Sequence, residues 1–452
     1  MIFLQRRRLY VWLFRAYIKK WRKTILLSFV IGLVVFFILR FGVNYFVPLL
    51  PFTQQKTIGV VGAYTVDTLP YSILGKVSEG LTTVASDDTI KPGIAKSWEI
   101  KNSGKTYIFH LKDNIYFNDG KKLTSDEIKY DFLDVSVERP NKYTIIFNLK
   151  TVYSPFLVTV SRPVFKNGFV GVGSYRVSSI NLNGNFVESI SLVTAKSGSN
   201  EISYQFYPTQ ESLKTALVLG DISEVSKVTD VNYHNEILSS FPNTKVTKST
   251  DYSQLVTLFY NTTDKDLSDK RLREALSYTI PDSFSEGQRN YGPFSPSSWV
   301  SQNGLTTYSQ DFDHAKRLLK ASSSSSSASF SFVLDTLPQY DLVANQIKTI
   351  WKTVGVNVTI LEVDSIPANF QLFLGDFYVP SDPDQYSIWH SSQTNNITNY
   401  KNLRIDKLLE DGRQTIAMDQ RIKIYEDFQK YLLDDPPAIF LYFPYIFEVT
   451  KK

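Results

Sequence analysis

The chain has 452 residues, enough for two or three domains, and its 43% hydrophobic and 21% charged residues are ordinary for a globular protein. It has no cysteine, which excludes disulfides, thiolate nucleophiles and cysteine metal sites. Nine of the 49 basic residues and none of the 44 acidic ones lie in the first 50 positions, so the remainder has 40 basic and 44 acidic residues, a net charge of −4. The overall charge of +5 therefore does not indicate a nucleic-acid partner.

The first 50 residues have the pattern of a membrane anchor. Residues 1–23 are basic, and residues 24–50 are mostly apolar, with Arg40 as an interruption. A helix of about 20 such residues can span roughly 30 Å of hydrocarbon, and the basic segment before it places the N-terminus in the cytoplasm. A cleaved signal peptide is the alternative, but residues 43–55 lack the small-x-small pattern of a cleavage site. The sequence therefore predicts a basic cytoplasmic segment (1–23) and an uncleaved, single-pass transmembrane signal anchor (24–50), with the rest of the chain extracytoplasmic.

Short strands are predicted directly after the anchor. Residues 56–61 have a strand pattern, and so do residues 98–100 and 106–111, which are separated by the turn-forming residues 102–104.

A capping-box pattern follows at Thr124 and Glu127. It predicts the start of a helix that carries Ile128, Phe132 and Leu133 on one face.

Helix and strand patterns alternate in the remainder of the chain. The predicted strands cover residues 142–149, 330–334 and 355–360, and the predicted helices cover residues 210–220, 314–320 and 343–354. Ser268 or Asp269 caps a further helix that buries Leu272, Ala275, Leu276 and Thr279. Residues 321–328 contain six consecutive serines, which indicates a low-complexity loop. This alternation predicts the α/β fold class.

Five short motifs in chain order resemble the signature region of solute-binding protein family 5, the extracytoplasmic receptors of peptide ABC transporters. They are Glu79-Gly80-Leu81-Thr82, Pro92-Gly93-Ile94-Ala95-Lys96-Ser97-Trp98, Phe109-His110-Leu111-Lys112, Phe117-Asn118-Asp119-Gly120 and Thr124-Ser125-Asp126-Glu127. Residues 255–280 resemble a second pattern of the family, and residues 406–439 resemble a third. With deletions, the resemblance runs from about residue 56 to residue 445.

The resemblance implies a bilobed, periplasmic-binding-protein-like architecture of type II with an extra β-rich subdomain, in which the lobes close on ligand by hinge bending. It places the core of lobe 1 in residues 56–75, 170–250 and 437–452. The inserted β-rich subdomain of lobe 1 is then residues 76–169, and lobe 2 is residues 251–436.

The sequence contains no catalytic or metal-binding motif. Its four histidines form no H-E-x-x-H or other close metal-ligand pair, and no G-x-S-x-G motif is present. Gly171 and Gly173 lack the third glycine and the Lys-Ser/Thr of nucleotide-binding loops. We therefore expect a protein that is not an enzyme and has no catalytic residue, metal site or cofactor.

Residues 370–390 contain the main candidate ligand-binding residues. A strand-like run ends at Gly375, and a loop follows that mixes the acids Asp376, Asp382 and Asp384 with aromatic residues, Phe377 and Tyr378 among them. A free peptide needs an anion for its α-ammonium and roomy apolar pockets for its side chains.

The resemblance implies a site for the α-ammonium of a peptide. In peptide-binding relatives, this group is bound by an acid that lies a few residues before a D/E-P dipeptide. Asp382-Pro383 matches the dipeptide. Matching the preceding small residue and acid to Gly375-Asp376 makes Asp376 the anchor, whereas counting from Phe370 with minimal gaps puts Val379 at that position and leaves no anchor. Asp376 and Asp382 could also simply cap turns.

Four further candidates lie at strand ends that face the hinge in relatives: Tyr260, Asn261, Tyr442 and Tyr64. Tyr442 and its neighbour Phe443 fit a buried core equally well. For Arg271 and Arg273, a structural role is favoured over ligand contact.

The sequence thus predicts a membrane-anchored, extracytoplasmic protein that is not an enzyme and that captures a small solute for an ABC permease complex. The favoured solute is a peptide, and the expected assembly is a monomer. The alternative is a sensor or scaffold with a receptor fold that is no longer coupled to transport.

Overall fold

The computed structural model describes residues 2–37, 40, 54–196, 200–322 and 330–451. The chain divides into two compact units, Met1–Gln55 with Ser197–Glu201, and Lys56–Lys196 with Ile202–Lys452. The predicted serine loop lies almost entirely outside the described residues.

The first unit contains one long helix, α1 (Ile2–Phe37). Its mostly apolar part begins near Ile25, so the described portion is shorter than the about 20 residues that a crossing needs. Among the described residues, no helix combines the length and apolar character required to cross a membrane, and the predicted anchor at 24–50 has no support there. Residues 38–39 and 41–50 of that segment lie outside the described part of the chain.

Twenty strands are found in the described residues. They are β1 (Gln54–Val61), β2 (Thr82–Val84), β3 (Ile90–Pro92), β4 (Ala95–Lys101), β5 (Thr106–Leu111), β6 (Val135–Asn141), β7 (Thr144–Leu149), β8 (Tyr175–Asn183), β9 (Phe186–Thr194), β10 (Asn200–Tyr207), β11 (Glu224–Val228), β12 (Asn232–Tyr233), β13 (Glu236–Ile237), β14 (Thr244–Thr250), β15 (Gln254–Tyr260), β16 (Gly287–Arg289), β17 (Phe330–Thr336), β18 (Val356–Glu362), β19 (Leu372–Tyr378) and β20 (Ala438–Lys451).

The larger unit also contains nine helices in its described residues. They are α2 (Tyr71–Val77), α3 (Phe156–Thr159), α4 (Gln210–Leu219), α5 (Lys270–Ser277), α6 (Phe312–Ser322), α7 (Asp341–Thr353), α8 (Tyr386–Trp389), α9 (Leu403–Gln414) and α10 (Met418–Asp434).

One mixed sheet runs through the larger unit in the order β18-β17-β19-β15-β20-β11-β1-β10-β9-β8, and β14 and β16 also pair with β20. The start of β20 pairs with β15, at Leu258 opposite Ile439. Its end pairs with β11 and β14, at Val449 opposite Val225 and Val246. The long strand β20 therefore joins two groups of strands.

The apolar cores divide in the same way. Two cores fill the part formed by residues 255–443, on opposite sides of β15 and β19, and we call this part lobe 2. Two smaller cores fill lobe 1, within residues 58–241 and at Val449. The chain crosses between the lobes through β20 and through the short link from β14 to β15.

The β-rich subdomain has a sheet of its own, in the order β4-β5-β7-β6, and a core within residues 81–164. The predicted strands at 98–100 and 106–111 are confirmed as parts of β4 and β5, and residues 102–104 form the turn between them.

The helix predicted after Thr124 was wrong, because only one 3-10 turn forms, at Ser125–Glu127. The capping box itself is present, and the Thr124 backbone N–H donates to Glu127 Oε2 at 3.0 Å. Arg139 then donates to the carbonyl oxygens of Ser125 and Ile128, each at 2.8 Å, and occupies acceptors that a longer helix would use. Leu133, expected on the buried face, is fully exposed.

The capped helix predicted near residue 269 is confirmed as α5. The Asp269 carboxylate accepts the Arg271 backbone N–H at 2.9 Å, and Leu272, Ala275 and Leu276 are buried. The helix predicted at 210–220 is confirmed as α4, which ends at Gly220 in the left-handed conformation, with φ 90°.

Candidate functional site

The β-rich subdomain meets lobe 2 directly. The Ser154 backbone N–H donates to the Arg413 carbonyl oxygen at 2.7 Å, and its hydroxyl donates to the Gly412 carbonyl oxygen at 3.0 Å. Nearby, Gly104 lies against Ile416, so closely that a Cβ built on the glycine would lie 2.6 Å from Ile416 Cγ1. These contacts close one side of a cleft.

Three cavities lie in and beside this cleft. The cleft cavity, about 270 Å³, is lined by the subdomain through Asp88, Ile100 and Tyr107, and by lobe 2 through Trp299 and Arg421.

A second cavity, about 180 Å³, is lined mainly by serine and tyrosine residues, and we call it the hydroxyl cavity. It shares Asp88 and Ser381 with the cleft cavity. A third cavity, about 360 Å³, is lined entirely by residues of lobe 2, and we call it the lobe 2 cavity. It shares Tyr378 and Pro380 with the hydroxyl cavity. The three spaces therefore adjoin one another through shared lining residues.

Asp382 lies in the cleft cavity and forms a two-pronged ion pair with Arg421. The side chains of Arg421 and Asp382 are only 7% and 10% exposed. Burial disfavours the charged guanidinium, but the hydrogen bonds and charge of Asp382 outweigh it and raise the pKa of Arg421. The charge of Asp382 is therefore compensated within lobe 2.

Asp384 has a similar partner. Arg413 Nε donates to its Oδ2 at 2.8 Å, and the guanidinium also lies over the Tyr386 ring at 4.2 Å. Burial raises the pKa of Asp384, and Arg413 opposes this effect. A second carboxylate of the 370–390 segment is thus paired.

Asp376 differs, because it has no Lys, Arg or His ion-pair partner within the described residues. The Tyr340 hydroxyl donates to its Oδ1 at 2.8 Å. Burial raises the pKa of Asp376, and this hydrogen bond opposes the rise. Asp376 lines the lobe 2 cavity together with Phe377 and Tyr378, both also predicted from the sequence.

The lobe 2 cavity is otherwise largely apolar. Phe377 packs edge-on against Trp389, with ring centroids 6.1 Å apart, and Phe259, Ile388 and Ile397 complete that wall. Tyr378 is 66% exposed at the mouth. The cavity has the size and lining to accept an apolar side chain.

Asp88 was missed by the sequence reasoning. It lies in the turn between β2 and β3, with φ 56°, and shares the lining of the hydroxyl cavity with Ser381 of lobe 2. Burial raises the pKa of Asp88, and the Ser381 hydroxyl opposes the rise. The adjacent acids Asp87 and Asp88 were the available signal, but a turn with two acids is usually a solvated surface.

The other predicted residues do not line the three cavities. Tyr260 is fully buried, and its hydroxyl donates to the Arg273 carbonyl oxygen at 3.2 Å. Tyr442 is 2% exposed and packs on Phe284. The structure therefore places both tyrosines in the core of lobe 2.

Asn261 and Tyr64 have local partners. Asn261 donates to the Phe370 carbonyl oxygen at 2.9 Å. Tyr64 donates to the Val61 carbonyl oxygen at 3.1 Å, and its ring packs on Phe206.

The two arginines near α5 make protein contacts, as expected. Arg273 is buried and donates to the carbonyl oxygens of Leu267 and Pro436 at 2.7 and 2.9 Å, whereas Arg271 pairs with Asp269 at the surface. In the described part of the chain, no group of three or more His, Asp or Glu side chains is arranged to hold a metal ion.

Comparison with known proteins adds a family pattern. The profile described as "Bacterial extracellular solute-binding proteins, family 5 Middle" matches residues 89–136 and 129–399. The oligopeptide-binding protein AppA of Bacillus subtilis is 23% identical over 460 aligned positions, which cover 84% of this chain and 81% of AppA. The probable D,D-dipeptide-binding periplasmic protein DdpA of Escherichia coli is 22% identical over 428 positions and 80% of both chains.

Solved structures show the same fold. The ABC transporter substrate-binding protein CtaP from Listeria monocytogenes superposes with a TM-score of 0.75 at 22% identity, over 88% of this chain and 94% of CtaP. AppA in complex with a nonapeptide gives a TM-score of 0.68 at 20% identity, over 88% of this chain and 95% of AppA. These likenesses establish the bilobed α/β fold.

Proposed function

The chain belongs to the bacterial extracellular solute-binding proteins of family 5, and we propose that it captures a small peptide between its lobes and presents it to an ABC permease complex. It is a binding protein and not an enzyme, because the family to which it belongs consists of solute-binding proteins.

The observation that carries this proposal is the set of adjoining cavities in lobe 2 and at its contact with the subdomain. Together they offer an apolar pocket, hydroxyl groups and carboxylates without an arginine partner, which are the groups that hold a peptide's side chains and its ammonium. AppA, which has the same fold, is a peptide-binding protein.

Among the predicted ligand-binding residues, we propose direct contact for Asp376, Phe377 and Tyr378 in the lobe 2 cavity. Asp382 lies in the wall of the cleft cavity, and its ion pair with Arg421 holds the loop after β19 in place. Asp376 stays the proposed ammonium anchor, because its carboxylate has no basic partner in the described residues. Tyr260, Asn261, Tyr442 and Tyr64 line none of the three cavities, and we propose no direct ligand contact for them.

We also propose that residues 24–50 tether the protein to the cell membrane with residues 1–23 in the cytoplasm. The support is the apolar and basic pattern of the sequence. If so, alkaline carbonate leaves the full chain in the membrane fraction and detergent releases it. Release by carbonate alone would contradict the tether.

Peptide binding is tested by thermal-shift and calorimetric screening of the full chain, in detergent, with di- to pentapeptides. We expect a rise in Tm for at least one peptide class and a loss of affinity in Asp376→Ala. The absence of stabilisation by every peptide would instead favour a sensor or scaffold.

A further inference from the structure

Among the described residues that line the hydroxyl cavity, Asp88 is the one with a formal charge. Serines from both sides of the cleft, including Ser86, Ser295 and Ser381, surround this small space together with Tyr252 and Tyr378. Hydroxyl oxygens are hydrogen-bond acceptors, so they and a carboxylate can together coordinate the N–H donors of an ammonium or guanidinium group.

The charges around the cleft do not cancel. Asp382 is paired with Arg421 and Asp384 with Arg413. Neither Asp88 nor Asp376 forms an ion pair in the described residues, so the residues that line the adjoining cavities include two acids without a basic partner. Partial burial of such a group has a free-energy cost that a bound cation would offset.

We propose that Asp88 is a ligand-binding residue that holds a basic side chain of the bound peptide, so that the substrate class is peptides containing lysine or arginine. The inference rests on the proposed peptide-binding function and extends it. The α-ammonium of a peptide compensates one carboxylate, for which Asp376 is the proposed partner, and the second carboxylate requires a second positive charge.

The position of Asp88 also links the ligand to lobe closure. Asp88 belongs to the subdomain of lobe 1, whereas Ser381 and Tyr378 in the same cavity belong to lobe 2. A cation in this cavity therefore contacts both lobes only when they are together. Such a ligand binds the closed form more tightly than the open form and shifts the population toward it.

The test is calorimetric titration of the full chain in detergent with Ala-Ala-Ala, with tripeptides carrying one Lys at each position in turn, and with the matching Glu peptides. In the wild type we expect the best Lys peptide to bind about tenfold or more tighter than Ala-Ala-Ala, as a charge-assisted hydrogen bond predicts, and the Glu peptides to bind more weakly.

The variant is Asp88→Asn, since asparagine tolerates the positive φ of this position and removes only the charge. We expect it to lose the preference for Lys and to keep its affinity for Ala-Ala-Ala. The matched control is Asp87→Asn, because Asp87 is exposed in the same turn, bonds Thr89 and lines none of the three cavities.

The possible failures differ from one another. If the wild type binds Ala-Ala-Ala but does not prefer Lys, or if Asp88→Asn keeps the preference, the inference is overturned and the proposed function stands. If the wild type binds no peptide at all, the proposed function fails and the inference fails with it. The wild-type comparison tests the substrate class by itself, and Asp88→Gly, which the positive φ also favours, replaces Asp88→Asn if that variant does not fold.

Discussion

At the scale of single residues, the carboxylates of the cleft fall into two kinds. Asp382 and Asp384 have arginine partners on α9 and α10, so they hold the loop after β19 in place. Asp376 accepts a hydrogen bond from the Tyr340 hydroxyl, and Asp88 shares a cavity lining with Ser381, but neither acid forms an ion pair in the described residues. A carboxylate that is paired inside its own lobe already has its charge compensated, whereas one that is unpaired remains available to a ligand.

The pair of Arg421 with Asp382 gives a stability prediction. In Arg421→Met, Asp382 is left buried without its cation, so we expect the free energy of unfolding to fall by about 3–5 kcal/mol. Urea denaturation followed by circular dichroism measures the change. Adding Asp382→Asn to the variant should restore part of the loss, and a single variant as stable as the wild type would contradict this role.

Asp376 gives a prediction about pH. The pKa of Asp376 is higher in the folded protein than in the unfolded chain, because burial disfavours its charged form. Ionisation of Asp376 therefore lowers the stability of the fold as the pH rises through the folded-state pKa. At a pH below the unfolded-state pKa, Asp376 is protonated in both states and does not lower the stability. Asp376→Asn should therefore have a higher Tm than the wild type at pH 7, and the difference should narrow in acid.

Thermal melts at a series of pH values test this expectation. Asp126→Asn is the control, because Asp126 is exposed on the subdomain and lines none of the cavities. Equal melting temperatures for Asp376→Asn and wild type at pH 7 would contradict the expectation that the ionised Asp376 carboxylate destabilises the fold.

At the scale of elements, local patterns predicted most strands and capped helices, because alternation, turn residues and caps act over a few positions. The strands β4 and β5 and the helix α5 show this. The turn after Thr124 shows the limit, since the competing donor, Arg139, comes from β6. No local pattern reveals a distant donor.

The site was less predictable than the fold for the same reason. The loop with Asp376, Phe377 and Tyr378 was found because acids and aromatics are close in the sequence. Asp88 meets Ser381 only through the folding of two lobes, and Tyr260 and Tyr442 are strand residues whose burial depends on the helices packed over them.

Arg139 gives a prediction at this scale. Arg139→Met removes the donors to Ser125 and Ile128, so we expect a loss of about 1–3 kcal/mol in stability and faster amide exchange around the turn. Lys150→Met is the control, since Lys150 is 74% exposed and pairs only with the exposed Asp134. Equal effects of the two substitutions would show that Arg139 does not hold the turn.

At the scale of the whole molecule, the subdomain contacts lobe 2 beside the cleft, and we expect this contact to limit how far the cleft can close. Gly104 matters here, because any side chain at this position would meet Ile416 and Val152, at 2.6 and 2.9 Å from a built Cβ. Ser154 adds two hydrogen bonds to α9 beside it. A bulkier residue at Gly104 should therefore favour the open form.

Gly104→Ala tests this against Gly120→Ala, a second glycine of the subdomain with positive φ and no neighbouring atom within 4 Å. Both variants incur the backbone strain of about 1 kcal/mol that a Cβ causes at positive φ, but only the first also disturbs the contact between lobes. We expect a larger radius of gyration by small-angle scattering and weaker ligand binding for Gly104→Ala alone. If both variants scatter and bind like the wild type, the Gly104 contact does not govern closure. The proposed link between the ligand's charge and lobe closure must then depend on other contacts between the subdomain and lobe 2.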